Sequence, residues 1–131
     1  MDSIRVTVPV MVKAKLTEKL RARLIEEFDK TANQMTLEMN QITIDQNREL
    51  EKNPQHEGEI RNFFGNELAK RQQHREEALG RKETIEKLAL GAEINQGTLE
   101  HQVELKVGDN MREIMNVEVL VEDDKVIAIR G

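Results

Sequence analysis

Thirteen positions near the start of the chain alternate without a break, with Ile4, Val6, Val8, Val10, Val12, Ala14 and Leu16 interleaved with Arg5, Thr7, Pro9, Met11, Lys13 and Lys15. A period of two over that length predicts a β-strand with one buried face. Pro9 has no donor for a ladder, which predicts that this strand lies at a sheet edge or carries a bulge near that point.

The period then changes. Thr17 precedes a long stretch rich in Glu, Lys, Arg, Leu and Met, and its hydroxyl suits the N-cap of a helix running to about Asn53, where Pro54 discourages continuation. Gln55, His56, Glu57 and Gly58 supply turn chemistry, and a second helix is expected from there to Leu90, with Gly91 as its C-cap. Folding the chain back near residue 56 sets Leu24 near Leu88, Phe28 near Ile85, Met35 near Ala78 and Leu79, Ile42 near Leu68, and Leu50 near Phe63 and Phe64. Apolar residues three and four apart, as in Leu24, Phe28, Met35, Met39 and Ile42, keep one seam facing an antiparallel partner. The middle of that seam is polar, because Met39 meets a stretch holding Gln72, Gln73 and Arg75, and Gly65 and Gly80 lower helix propensity further.

Beyond Gly91 the period returns to two. Leu99, His101, Val103, Leu105 and Val107 alternate with Thr98, Glu100, Gln102, Glu104 and Lys106, which predicts a second strand closed by Gly108 and Asp109. Asn110 and Glu113 have capping-box spacing for one short helical piece. Val117, Val119 and Val121 open a hairpin that reverses at Asp123 and Asp124 and returns through Val126 to Ile129. The expected fold is therefore α+β: a long antiparallel helical hairpin, or coiled-coil arm, inserted between an N-terminal strand and a small C-terminal antiparallel β unit. We expect one elongated domain, 1–131, in which 1–16 and 92–131 form the base and 17–91 the arm.

Composition narrows the picture. With 37% apolar and 34% charged residues, and only Phe28, Phe63 and Phe64 as aromatics, the core must be thin and aliphatic. The absence of cysteine removes disulfides and thiolate chemistry and favours a reducing cytoplasm. No apolar run approaches the roughly 20 residues of a membrane span, and no secretory leader pattern opens the chain. The net charge of −5 lies entirely in residues 92 to 131, which hold nine acids and four bases. A nucleic-acid binder usually shows the reverse, so nucleic acid is possible but not favoured.

Candidate chemistry is sparse. His56, His74 and His101 share no ligand spacing, the pairs Glu26-Glu27, Glu76-Glu77 and Asp123-Asp124 read as solvated faces and a turn, and no glycine-rich loop follows a strand. We expect no catalytic residue, no metal and no cofactor. The locally basic stretch Lys70, Arg71, Arg75, Arg81 and Lys82 could meet phosphate, although Glu67, Glu76, Glu77 and Glu83 are mixed with it. Phe63 and Phe64 sit near the predicted tip of the arm and, about 100° apart on a helix, cannot both fill one seam.

Several short segments carry a resemblance: Leu16-Thr17-Glu18-Lys19, Leu90-Gly91-Ala92-Glu93-Ile94, Val107-Gly108-Asp109-Asn110, Glu113-Ile114-Met115, Val121 to Ile127, and Ile129-Arg130. Together they resemble the YlqD family of uncharacterised bacterial proteins. The likeness covers both ends of the chain and, in composition, the helices between. Asp124 departs from the glycine common at that place in such hairpins. The resemblance implies the fold and brings no catalytic residues.

The expected function is that of a non-enzymatic scaffolding protein that forms a homo-oligomer, dimer or tetramer, through its arm. A two-helix seam leaves Ile25, Ile44 and part of the Met and Phe surface uncovered. Met35, Met39, Phe63 and Phe64 are the expected oligomer or partner contacts, the protein partner being unidentified. The alternative is an RNA- or ribosome-associated assembly factor using the basic middle of the second helix.

Overall fold

A computed structural model describes residues 1–131. Its elements run β1 (Ser3–Lys15), α1 (Glu18–Lys52), a 3-10 turn (Pro54–His56), α2 (Glu57–Lys87), β2 (Glu93–Lys106), α3 (Met111–Met115), β3 (Glu118–Glu122) and β4 (Lys125–Arg130). The α+β class and the helical hairpin between strands are as expected. The chain divides into two compact units, one of Met1–Arg21 with Leu88–Gly131 and the other of Ala22–Lys87.

The first unit holds a four-stranded mixed sheet in the order β2-β1-β3-β4. Here the expectation of an edge position for β1 is corrected for its second half. β1 is internal only over Met11–Ala14, where it lies parallel to β3; it pairs antiparallel with β2 from Ser3 to Lys15, and its first half is open on the other side. Pro9 is tolerated for a geometric reason. The Met11 amide donates to the Val117 carbonyl at 3.3 Å, so the nitrogen two residues earlier points to the same side, where β3 has not yet begun. The C-terminal strands also do not form a sheet by themselves, since β1 separates β2 from the β3–β4 hairpin.

β2 starts at Glu93, well before the alternation at Thr98. The polar run Asn95-Gln96-Gly97 is a bulge: Val12 pairs with Gly97 and Lys13 with Asn95, leaving Gln96 over, while Asn95 Oδ1 accepts from the Gly97 amide at 3.0 Å. The β3–β4 turn places Asp123 and Asp124 at φ 47° and 68°, the paired left-handed conformation of a tight two-residue hairpin. Asp123 is held there by a 2.7 Å hydrogen bond from the Thr17 hydroxyl.

The core of this unit is the even-numbered face of β1, where Val8, Val10 and Ala14 are buried, together with Leu16, Leu20 and Leu120. Leu16 is anchored through both backbone groups, donating to the Ala92 carbonyl and accepting from the Gly91 amide, each at 2.8 Å. Thr17 caps α1 by accepting from the Leu20 amide at 3.1 Å. On the odd-numbered face, Lys13 lies 3.0 Å from Glu118, which lies 2.7 Å from Arg130, which in turn pairs with Glu93, so one chain of charges ties all four strands.

In the second unit α1 and α2 run antiparallel, fixed by Asp29–Lys82 at 2.8 Å, Thr36–Arg75 at 3.1 Å and Glu38–Arg71 at 3.7 Å. These partners fall within one to three residues of the fold-back register expected from the sequence. Glu57 and Gly58, expected in the turn, open α2 instead, and α2 ends at Lys87 rather than Leu90. Past that end, the Arg21 guanidinium donates to the Leu88 carbonyl, and Gly91 takes φ +87° to turn the chain toward β2.

Candidate functional site

The surface singled out by sequence lies on the helical hairpin, and its seam is thin. Only Ala32, Ala78 and Ile85 are buried within Ala22–Lys87. The two methyl groups and one isoleucine side chain that are fully covered supply about 3–5 kcal/mol of hydrophobic transfer, and the rest of the apolar contact comes from half-buried side chains such as Leu24, Phe28, Ile42 and Leu50. Pairs along the helix add a few tenths of a kcal/mol each. On α2, Arg61 pairs back to Glu57 at 2.9 Å, Lys87 to Glu83 at 2.7 Å, and Gln72 donates to Glu76 at 2.9 Å, all at four-residue spacing.

Met35 and Met39 line the seam as half-buried side chains. Phe63 and Phe64 part company as helical geometry requires. Phe64 is half-buried, Phe63 is 60% exposed, and the rings meet edge to face with centroids 5.1 Å apart. The expected contacts miss the most exposed large aliphatic side chain of the hairpin. Leu37 is 63% exposed and stands seven residues from Ile44, itself 45% exposed, so the two share a stripe on α1. That i, i+7 spacing was the available signal. Beside Leu37 a shallow groove of about 570 Å³ is lined by Lys30, Thr31, Gln34, Met35 and His74.

Four of the five basic candidates are already engaged. Lys70 and Arg71 both pair with Glu67, and Arg71 reaches Glu38. Arg75 donates to the Thr36 hydroxyl, and Lys82 pairs with Asp29. The Glu67 carboxyl is held below its ordinary value chiefly by the hydrogen bond from Arg71, then by Lys70, and Lys82 is raised by its bond to Asp29. Arg81 is exposed and borders a small recess of about 120 Å³ with Phe28, His74 and Glu77. His56 lies 3.8 Å from Glu59, and His101 lies on β2, outside the hairpin.

A family model described as YlqD protein matches residues 4–130, nearly the whole of this strand–hairpin–sheet arrangement. The chain belongs to the YlqD family. Among solved structures it is similar to a protein of unknown function from Synechococcus sp. WH 8102, with a TM-score of 0.87 and 18% identity over 98% of this chain and 95% of that one. At that identity the likeness concerns the fold, so the inserted hairpin and mixed sheet recur in a second sequence. No curated protein is similar to the chain in sequence. No helix of this YlqD-family chain is long and apolar enough to cross a membrane.

Proposed function

We propose that the chain is a non-catalytic scaffold of the bacterial cytoplasm that self-associates through its helical hairpin, forming a coiled coil of more than two helices. The observation that carries this reading is the exposure of Leu37, Ile44 and Phe63 on a hairpin whose own seam buries two alanines and one isoleucine. Helices with so small a shared core gain most by covering that stripe against another copy.

Light scattering at low micromolar concentration tests the reading. The particle should exceed the 15.1 kDa of one chain. Leu37→Asp places a charge on the exposed stripe, and Met39→Glu places one in the seam; both should shift the mass toward the monomer, with helicity retained for Leu37→Asp. A monodisperse wild-type monomer across the range overturns it. Phosphate capture by α2 is the weaker reading because most of its cations are paired, and its signature is retention on RNA that fades between low and moderate salt.

A further inference from the structure

The sheet has three margins, and two are closed to further pairing by their own sequence. β4 is six residues long, is flanked by Lys125 and Arg130, and bulges at Ile127, where Leu120 pairs with Ala128 but Val121 with Val126. The early half of β1 presents Pro9 to its open side. β2 is different. It pairs with β1 on one side only, is largely exposed, and runs from Gly97 to Lys106 without proline or bulge.

The direction of its free backbone groups follows from one hydrogen bond. The Val107 amide donates to the Asp2 carbonyl at 3.0 Å, so by alternation the odd-numbered residues face β1 and the even-numbered ones face outward. At one end the outward amide of Lys106 is already taken by Asp109 Oδ2 at 2.8 Å. The open stretch is therefore Thr98 to Glu104, and its centre is His101.

We propose that this margin docks a second copy of the chain, β2 pairing antiparallel with β2 of the partner about a two-fold axis at His101. Two independent constraints select that register. Apolar faces continue across the junction only when odd residues face odd residues, since a one-residue slip would put Leu99 and Val103 on the polar side. Among the registers this leaves, an axis at Glu100 sets that carboxylate against itself, and an axis at Gln102 sets Glu100 against Glu104 twice. An axis at Val103 drives the partner strand into the Asp109 carboxylate, and an axis at Leu99 or Thr98 runs it onto the bulge at Gln96. With the axis at His101, Glu100 faces the Gln102 amide, Glu104 faces the Thr98 hydroxyl, and Leu99 faces Val103. Each carboxylate then meets a hydrogen-bond donor and every open backbone group has a partner. This contact is separate from the hairpin, and if both form, the assembly has two kinds of interface.

Single cysteines test it, because the native chain has none. Residues on the axis form a non-hydrogen-bonded pair with Cα atoms about 4.5 Å apart, within the ~4.4–6.8 Å that a disulfide spans. Under mild oxidation His101→Cys should give a covalent dimer, whereas Leu99→Cys and Val103→Cys, each displaced from its own copy, should not. Absence of the His101→Cys dimer, or equal crosslinking by all three, overturns the proposal. A second arm reads charge. Gln102→Lys should tighten the dimer several-fold by facing Glu100, and Gln102→Glu should loosen it by a similar factor. Movement of both in one direction, or of neither, overturns the register. Repeating the crosslink in Leu37→Asp separates the two readings, since the sheet contact survives that change even if hairpin association is lost.

Discussion

Truncating Leu16 should cost the first unit about 3–4 kcal/mol. Its side chain is 1% exposed, and Leu16→Ala removes three carbons worth roughly 0.8 kcal/mol each, or about 2.4 kcal/mol of transfer free energy. A residual cavity of some 40–60 Å³ adds about 1–1.5 kcal/mol at ~24 cal/mol per Å³. Relaxation is restricted because the Leu16 backbone is bonded to both Gly91 and Ala92. The matched control is Leu99→Ala, the same chemistry at a side chain 58% exposed, expected to change stability by under about 0.5 kcal/mol in the monomer. With no Trp or Tyr in the chain, urea unfolding is followed by far-UV circular dichroism, and amide exchange of β1 isolates the sheet from the helices. For a urea slope of ~1.5 kcal/mol per M the Leu16→Ala midpoint falls by about 2–2.7 M. Equal losses for the two variants, or a loss below about 1 kcal/mol for Leu16→Ala, would refute the argument that Leu16 anchors this core.

Two further outcomes follow from polar contacts of the same unit. Thr17→Ala removes the cap on the Leu20 amide and the bond to Asp123, and should cost about 1–2 kcal/mol in the same urea assay, with Thr17→Ser recovering most of it. The Glu93 carboxyl is held below its ordinary value chiefly by Arg130, so the folded sheet binds a proton there less readily than the unfolded chain does. That stabilisation is present above the ordinary carboxylate range and is lost as pH falls through the lowered value. The urea midpoint of wild type should therefore decline on acidification below about pH 5, and more shallowly in Glu93→Gln. Parallel acid limbs in the two proteins would show that the pair contributes nothing to this pH dependence.

The periodic parts of the molecule were legible without coordinates. Thirteen alternating positions specify β1, and the caps at Thr17 and Asn110 stand where their side chains predict, Asn110 Oδ1 accepting from the amides of Arg112 and Glu113. The fold-back register came within three residues because Pro54 and the turn residues after it mark where the chain reverses. Sheet order was not legible: nothing local to Pro9 distinguishes an edge strand from an internal strand whose neighbour begins two residues later. The start of β2 was hidden because Asn95-Gln96-Gly97 has turn composition, and only the pairing with β1 turns it into a bulge. On the hairpin, the uncovered position of Ile44 was legible, while Leu37, one heptad before it on the same exposed stripe, was passed over because attention to the seam selected Met35 and Met39.

The insertion of the hairpin between β1 and β2 also sets a timetable. Met11 pairs with Glu118, more than a hundred residues later, and Ser3 with Lys106, so β1 emerges first during synthesis and completes its pairing last. At about 5–20 residues per second, β1 waits roughly 5–20 s for β3, with its apolar face unsatisfied. The helices need only local contacts and form on the microsecond scale, and their reversal brings the end of β1 back beside the start of β2, where Leu16 meets Ala92. Once its helices have paired, an insertion that would otherwise leave a long loop to close presents the two strands with only a short one.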